Sequence, residues 1–258
     1  MNIHWLKMTD STNLDAWRNK DAAEDMTVWC AEYQTAGRGQ RGNRWESRQG
    51  ENLMFSILFR PRGLRAAGQF VISQICSVGI VRYLEGLGLD ARIKWPNDIY
   101  IGDRKICGML IENTLKDDTL AVSIAGIGLN VNQKVFPPEL PNPTSVLLAL
   151  DNAVTGREGT PGLSPEEELP RLLHRIFELY GQMDADGHVP GLEEEYSRLL
   201  YRKGIPAEFE ETEYVTGGGL RRFRGRILGV EKGTARLLVE KEDGQVAKYY
   251  FKEIRFVL

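Results

Sequence analysis

A glycine- and arginine-rich stretch between two apolar segments most constrains the fold of this chain. Residues 35–45 read Thr-Ala-Gly-Arg-Gly-Gln-Arg-Gly-Asn-Arg-Trp. Such a stretch buries little apolar surface, and its glycines favour a loop over a helix or a strand. The flanking runs, 26–33 and 52–59, are rich in β-branched and aromatic residues and predict strands. We therefore expect a basic loop at one edge of a β-sheet.

Arginine and glycine together give this loop the chemistry of an anion site. Arg38, Arg41 and Arg44 carry planar guanidinium groups that match phosphate or carboxylate oxygens. The glycines let backbone N–H groups approach a ligand closely. We expect the loop to be mobile until an anion orders it, with Trp45 closing it. Composition alone also allows a solvated basic turn, so the choice depends on the neighbouring sequence.

The overall composition excludes several classes of function. The net charge of −3 gives no global attraction to DNA or to an anionic membrane surface. The cysteines, Cys30, Cys76 and Cys107, form no CxxC pair and are typical of buried residues in a reducing compartment. The histidines lack zinc-ligand spacing, the N-terminus lacks the apolar core of a signal peptide, and no run approaches membrane-spanning length. A soluble cytoplasmic protein is expected.

Hydrophobic periodicity predicts alternating strands and helices before residue 204. Besides the two strands that flank the loop, the predicted strands are 3–8, 91–94, 99–101, 104–112 and 120–127. The predicted helices begin at Leu14 and cover 69–87, about 164–183 and about 192–201. Four prolines mark residues 133–145 as an irregular loop.

The pattern changes from Gly204 onward. Short alternating segments follow, separated by turn residues such as the three glycines 217–219; they are 207–213, 220–230, 234–240 and 246–251. This pattern predicts a small antiparallel, barrel-like β domain of about fifty-five residues. We therefore divide the chain into a catalytic domain, 1–203, and a C-terminal domain, 204–258.

Two polar features allow both a structural and a functional interpretation. Ser11 and Thr12 precede a helix, where they would cap its free N–H groups or, at a strand-to-helix corner, bind a polar ligand. Lys105 follows a Gly-Asp turn and should lie opposite Tyr100, on one face with Cys107, Met109 and Ile111. This lysine is either a surface residue at a strand end or a cation that faces a pocket.

Five motifs in a fixed order resemble those of biotin protein ligases. They are Ser11-Thr12-Asn13, Gln34 to Gly39 with Trp45, Lys94-Trp95-Pro96-Asn97-Asp98, Asp103-Arg104-Lys105 with Gly108, and Gly126 to Asn132. The resemblance implies an α+β, class II synthetase-like fold in which helices flank a mixed central β-sheet and a small C-terminal SH3-like β-barrel follows. Regulatory family members carry an N-terminal helix-turn-helix domain. Only about ten residues precede Ser11, so we expect a monofunctional ligase without that domain.

The resemblance also implies a reaction and its residues. The family activates biotin with ATP to biotinyl-5′-AMP and transfers biotin to a lysine of a biotin carboxyl carrier protein, with Mg²⁺ accompanying ATP. Lys105 and Arg38 are the implied catalytic residues, because two anions must meet at the reacting centre. The implied biotin-binding residues are Ser11, Thr12, Asn13, Gln34, Arg38, Gly39, Gln40, Lys105 and Gly108. The implied ATP-binding residues are Arg41, Trp45, Lys94 and Asn130, and metal ligands are not identified.

One position departs from the family pattern. Many members have a basic residue after the second glycine of the loop, where this chain has Gln40 followed by Arg41. In the family that residue helps to retain the adenylate. Gln40 can form hydrogen bonds but carries no charge, so either Arg41 takes over part of this work or the intermediate leaves more readily.

Three other functions are compatible with parts of the sequence. A lipoate or octanoate ligase shares the general architecture but needs a pocket for a linear chain. A nucleic-acid-binding protein would use the arginine loop and the barrel, but the net negative charge of the chain argues against this function. A catalytically silent biotin sensor is disfavoured by the presence of Lys105 and Arg38. We expect no nucleic-acid or membrane partner and either a monomer or a homodimer.

Overall fold

A seven-stranded mixed β-sheet forms the centre of the protein. The computed structural model describes residues 1–153, 161–212 and 219–257, with the backbone alone at Arg41 and Ala153. The strands of the central sheet are β1 (Ile3–Leu6), β2 (Thr27–Ala31), β3 (Asn52–Phe59), β4 (Ala91–Lys94), β5 (Asp98–Ile101), β6 (Arg104–Lys116) and β7 (Thr119–Asn130). Their order is β1-β2-β3-β7-β6-β5-β4, with β1 and β2 parallel and the other neighbours antiparallel.

Helices cover both faces of this sheet. The helices are α1 (Thr12–Asn19), α2 (Phe70–Gly86), α3 (Val146–Ala153), α4 (Pro165–Tyr180) and α5 (Leu192–Arg198). Strand side chains alternate between the faces. Trp29, Leu58 and Ile124 pack with Ala16 of α1, whereas the intervening strand residues join the larger core formed with α2, α4 and α5. The predicted α+β architecture with a mixed central sheet is confirmed.

Helix α2 lies at the centre of the larger core. Apolar residues occur on all of its sides, as expected for a helix inside a protein. The segment Ala66–Gly86 is long and apolar enough to cross a membrane by length and composition, which contradicts the expectation that no run approaches that length. About two thirds of its most apolar window is buried inside the protein, however, which is typical of a core helix.

A five-stranded antiparallel sheet follows the last helix. Its strands are β8 (Pro206–Thr212), β9 (Leu220–Val230), β10 (Leu237–Lys241), β11 (Val246–Tyr249) and β12 (Ile254–Phe256), in the order β11-β10-β9-β8-β12. The sequence did not predict β12, which pairs with β8. Glu213, predicted as the end of a strand, and Gly217 and Gly218 of the predicted turn lie outside the described residues. The boundary between residues 203 and 204 stays a prediction.

Several strands and two helices end elsewhere than the sequence predicts. Strands β6 and β7 continue to Lys116 and Asn130, past the predicted ends at 112 and 127. Helix α4 ends at Tyr180 and not near Met183, because the following residues form turns. Helix α5 ends at Arg198, because the backbone of Leu199 and Tyr201 instead bonds to that of Ile93 in β4.

The hairpin of β5 and β6 corrects one prediction about Lys105. Lys105 does lie opposite Tyr100. A bulge then shifts the register, so that Cys107 pairs with Ile99 while Lys105 still pairs with Tyr100. The extra residue, Ile106, reverses the side-chain alternation. Lys105 therefore does not share a face with Cys107; its side chain lies beside Gly108.

Candidate functional site

A trough crosses the α1 face of the central sheet, where β6 and β7 carry three glycines. Gly108 pairs with Gly128 and Leu110 with Gly126. A Cβ on Gly128 would lie 2.6 Å from Cζ2 and Nε1 of Trp45, and one on Gly126 would lie 2.8 Å from Cγ of Asn13. Glycine is therefore required at both positions by the close approach of other groups.

A single cavity of about 710 Å³ surrounds this trough. Twelve of the thirteen implied site residues line it: Ser11, Thr12, Asn13, Gln34, Arg38, Gly39, Gln40, Trp45, Lys94, Lys105, Gly108 and Asn130. The thirteenth is Arg41, whose side chain is outside the described part of the structure. The fold thus brings together residues that are up to 119 positions apart in the chain, from Ser11 to Asn130. Their individual roles stay predictions.

The start of α1 forms one end of the cavity. Ser11 occupies the position before the helix, but its side chain makes no capping hydrogen bond. The first helical N–H, that of Thr12, instead donates to Oε1 of Gln34 at 2.8 Å. The capping interpretation of Ser11 is therefore wrong, and its ligand-binding interpretation stays a prediction. Gln34 comes from the segment after β2 and lies next to the helix start because Thr9 and Gln34 form a parallel bridge.

Residues 35–45, which we call the flap, form a small hairpin over the trough. Trp45 N donates to Gly37 O at 3.0 Å, and Gly39 N donates to Asn43 O at 2.7 Å. A short 3₁₀ turn, Gln40–Gly42, closes the hairpin. The flap is thus a hydrogen-bonded element in this structure, and the expectation that a ligand orders it stays a prediction.

The flap places two of its side chains on the sheet. The ring of Trp45 lies against Gly128 and Gly108, in the middle of the trough. Within the described residues its buried Nε1 has no hydrogen-bond partner. Arg38 reaches β6, where its Nη2 lies 3.2 Å from Oε1 of Glu112. An indole donor and a guanidinium therefore enter the cavity from the same short segment.

Lys105 marks the opposite end of the trough. Its Nζ lies 2.8 Å from Oδ1 of Asp98 and 5.8 Å from the centre of the Trp45 ring. Its backbone is fixed by residues 133–145, which we call the proline loop: Lys105 N donates to Asn142 O at 2.8 Å, and Thr144 N donates to Lys105 O at 2.9 Å. Glu112 lies four positions after Gly108, which is beside Lys105, and this spacing corresponds to roughly 13 Å along β6. Arg38 and Lys105 thus share one cavity, but at its two ends.

Lys94 forms a third cationic position, next to the C-terminal sheet. Its Nζ lies 3.0 Å from the Tyr100 hydroxyl and 5.6 Å from the centre of the Phe256 ring. Burial lowers the pKa of Lys94 below its ordinary value, and the positive charge of Lys105 adds to this effect against the opposing influence of Asp98. Trp95 Nε1 donates to Ala235 O at 3.0 Å, so this side of the cavity is fixed to the C-terminal sheet.

Sequence reasoning missed several residues of the site. Asp98 and Glu112 pair with the two implied catalytic cations, and Phe256 and Phe251 line the cavity from the C-terminal sheet. Asp98 could have been found, because it ends a motif that the sequence already singled out. Glu112 lies four residues after Gly108 and therefore on the same face of β6, which strand alternation predicts. The aromatic residues of the C-terminal sheet give no local pattern that points to the cavity.

Comparisons with known proteins agree with this geometry. The profile of the Biotin/lipoate A/B protein ligase family matches residues 5–131. The bifunctional ligase/repressor BirA of Escherichia coli K12 is 30% identical over 223 residues, which cover 78% of this chain and 69% of BirA. The chain belongs to the biotin protein ligase family. The biotin–[acetyl-CoA-carboxylase] ligase of Paracoccus denitrificans is 29% identical, with 72% of this chain and 75% of that protein covered.

The similarity to a solved structure extends over the whole chain. The biotin protein ligase from Aquifex aeolicus in complex with biotin and ATP superposes with a TM-score of 0.74 at 26% identity. The superposition covers 99% of this chain and 98% of the Aquifex chain. The C-terminal sheet is therefore part of the shared fold and not an addition peculiar to this chain.

Proposed function

We propose that this protein activates biotin with ATP to biotinyl-5′-AMP and transfers the biotinyl group to a lysine of a biotin carboxyl carrier protein. Family membership supports the proposal, and one observation carries it: the family's polar and cationic residues converge on a single cavity with a glycine floor. A carboxylate and a phosphate repel each other, so their reaction requires fixed positive charge where they meet.

The residues at the two ends of the cavity divide the work. Ser11, Thr12 and Gln34 hydrogen-bond the polar ring end of biotin, and its chain runs toward Lys105 along the Trp45 ring that covers the glycine floor. The ammonium of Lys105 then attracts the biotin carboxylate and stabilises the charge that develops when a carboxylate oxygen attacks the α-phosphate and pyrophosphate leaves. Lys94 lies at the nucleotide side, where the C-terminal sheet supplies an aromatic wall.

Mg²⁺ enters this scheme as part of the Mg-ATP substrate. Mg²⁺ binds typically through one or two carboxylates and the phosphates of the nucleotide. Among the described residues, no group of three or more His, Cys, Asp or Glu side chains could hold a metal ion. We further propose that the protein works in the cytoplasm, where its acceptor carrier would be found.

One experiment tests the function directly. The purified protein is incubated with biotin, Mg-ATP and a biotin carboxyl carrier domain, and intact-mass spectrometry detects addition of one biotinyl group to the carrier. Omission of ATP and replacement of the acceptor lysine by arginine are the controls. Lipoate replaces biotin in a parallel reaction, because the matched family profile also includes lipoate ligases. Modification by lipoate and not by biotin would refute the proposal.

A further inference from the structure

We propose that Glu112 positions the biotin end of the cavity by holding Asn13 of α1 and Arg38 of the flap to one carboxylate on β6. This inference rests on the proposed function and goes beyond it, because neither the sequence motifs nor the family resemblance assigns Glu112 a role. Glu112 is a positioning residue and not a catalytic one: it contacts residues of the cavity but is not itself part of the lining.

Three donors from two separate segments meet at this carboxylate. Asn13 Nδ2 donates to Glu112 Oε2 at 2.9 Å, and Trp17 Nε1 donates to the same oxygen at 3.3 Å. Arg38 approaches from the flap, with Nη1 3.4 Å from Oε2 and Nη2 3.2 Å from Oε1. The side chain of Glu112 is 25% exposed, so these contacts are partly shielded from water. One side chain on a rigid strand thus links α1 and the flap.

The charge of Glu112 also determines how the Asn13 amide is oriented. A carboxylate only accepts hydrogen bonds, and so does the neighbouring Leu110 carbonyl, which lies 3.3 Å from Asn13 Nδ2. The amide nitrogen must therefore face β6, and its oxygen must face the Ser56 hydroxyl at 2.6 Å. Because Asn13 Oδ1 can only accept, the single Ser56 proton is directed to it.

The same chain of hydrogen bonds reaches a residue implied in biotin binding. Ser56 Oγ lies 2.8 Å from Oγ1 of Thr12, and Thr12 Oγ1 lies 3.2 Å from Oε1 of Gln34. Once the Ser56 proton is committed to Asn13, Ser56 Oγ and Gln34 Oε1 can both only accept from Thr12, so the single Thr12 hydroxyl proton goes to one of these two oxygens. Hydrogen-bond networks of this kind hold their members in place. Glu112 thereby fixes the polar groups that face the ring of biotin.

The glutamine variant separates positioning from simple stability. Glu112→Gln keeps the size and one acceptor oxygen, but it removes the charge and introduces a donor that can face Asn13. The matched control is Glu195→Gln, because Glu195 forms an ion pair with Arg82 at 2.6 Å on the other side of the sheet, between α2 and α5. Biotin-dependent ATP–pyrophosphate exchange gives KM for biotin and kcat for both variants.

We expect KM for biotin to rise about tenfold in Glu112→Gln, since loss of a hydrogen bond to a charged group typically weakens binding by about tenfold or more. The value of kcat should change less than KM for biotin, because Lys105 is untouched and Arg38 itself is retained. Tryptic cleavage within residues 35–45 should become several-fold faster in Glu112→Gln and stay unchanged in Glu195→Gln. The comparison holds when the two variants have the same melting temperature. The trypsin measurement needs no enzymatic activity.

Three results would overturn the proposal. If Glu112→Gln had the same KM for biotin and the same rate of flap cleavage as the unmodified protein, Glu112 would have no positioning role. A lower KM would mean that Glu112 withholds Arg38 from the substrate. A rise in KM that the control variant reproduces would mean a general structural effect. If the unmodified protein showed no biotin-dependent exchange, the proposed function would fail, while the cleavage rates would still decide whether Glu112 holds the flap.

Discussion

The glycine floor of the cavity offers a sharp test, because a single methyl group at Gly128 has a predictable effect. A Cβ there would lie 2.6 Å from two ring atoms of Trp45, whereas ordinary contact begins at 3.4 Å, so the ring must retreat by roughly 1 Å. Overpacking of this kind typically costs about 1–3 kcal/mol. In the free protein the Trp45 ring can avoid this cost by moving outward, whereas a ligand that needs the ring against the floor must bear it on binding. Biotin should therefore bind about 5- to 150-fold more weakly in Gly128→Ala.

Isothermal titration with biotin measures this loss, and Gly86→Ala is the matched control. A Cβ at Gly86, the last residue of α2, would meet no atom within 4 Å, and its backbone is not left-handed. Both variants should melt within a few degrees of the unmodified protein, since Trp45 can move outward without disturbing the core. Unchanged biotin affinity in Gly128→Ala would show that the floor is not part of the substrate site and would refute the reasoning.

Three further predictions concern the charged and buried groups. Lys105→Ala should slow adenylate formation at least about a thousandfold, as measured by pyrophosphate exchange. In the control Lys116→Ala, at the exposed end of the same strand, the rate of adenylate formation should stay within about twofold of that of the unmodified protein. Equally small losses in both variants would contradict the assignment. Burial lowers the pKa of Lys94 below 10.5, so its positive charge is lost at a lower pH. We therefore expect kcat/KM for ATP to fall in the alkaline range below pH 10.5. Persistence of this decline in Lys94→Met would contradict the prediction. Tyr83 donates a hydrogen bond to the buried Glu168 carboxylate at 2.9 Å. Tyr83→Phe should therefore lower the free energy of unfolding, measured in urea, by about 1–3 kcal/mol and leave the specific activity unchanged. An unchanged urea midpoint would contradict this prediction.

The strands were predictable because their residues alternate or remain apolar over short runs bounded by turn residues. Residues 52–59 and 91–94 form strands with the predicted bounds. Strand β12 was not predictable in the same way. It has three residues, it follows directly after a turn, and its partner β8 begins almost fifty residues earlier, so no local period marks it. Pairing at long range, and not propensity, decides such a strand.

The site was predictable where a motif is contiguous and unpredictable where the fold joins distant segments. The motif residues gather in one cavity. The face that Lys105 occupies was predicted wrongly, because one bulged residue reverses the alternation and leaves no trace in composition. Capping of α1 was one of two interpretations of Ser11, but the N–H of Thr12 instead donates to Gln34, 22 positions further along the chain. Phe256 reaches Lys94 only because the C-terminal sheet closes on the cavity.

The strength of the two ion pairs in the cavity has a consequence for catalysis. Lys105 pairs with Asp98 and Arg38 with Glu112, and all four side chains keep between 25% and 43% of their surface exposed. Ion pairs this accessible to water contribute only about 0–1 kcal/mol. The carboxylates can therefore hold each cation in place without binding it so firmly that a substrate carboxylate or phosphate is unable to compete. A fully buried pair would orient the cation equally well, but releasing it would leave an uncompensated charge in the protein. Partly exposed ion pairs are thus suited to a site whose cations must be oriented before the substrate binds and must then interact with the substrate.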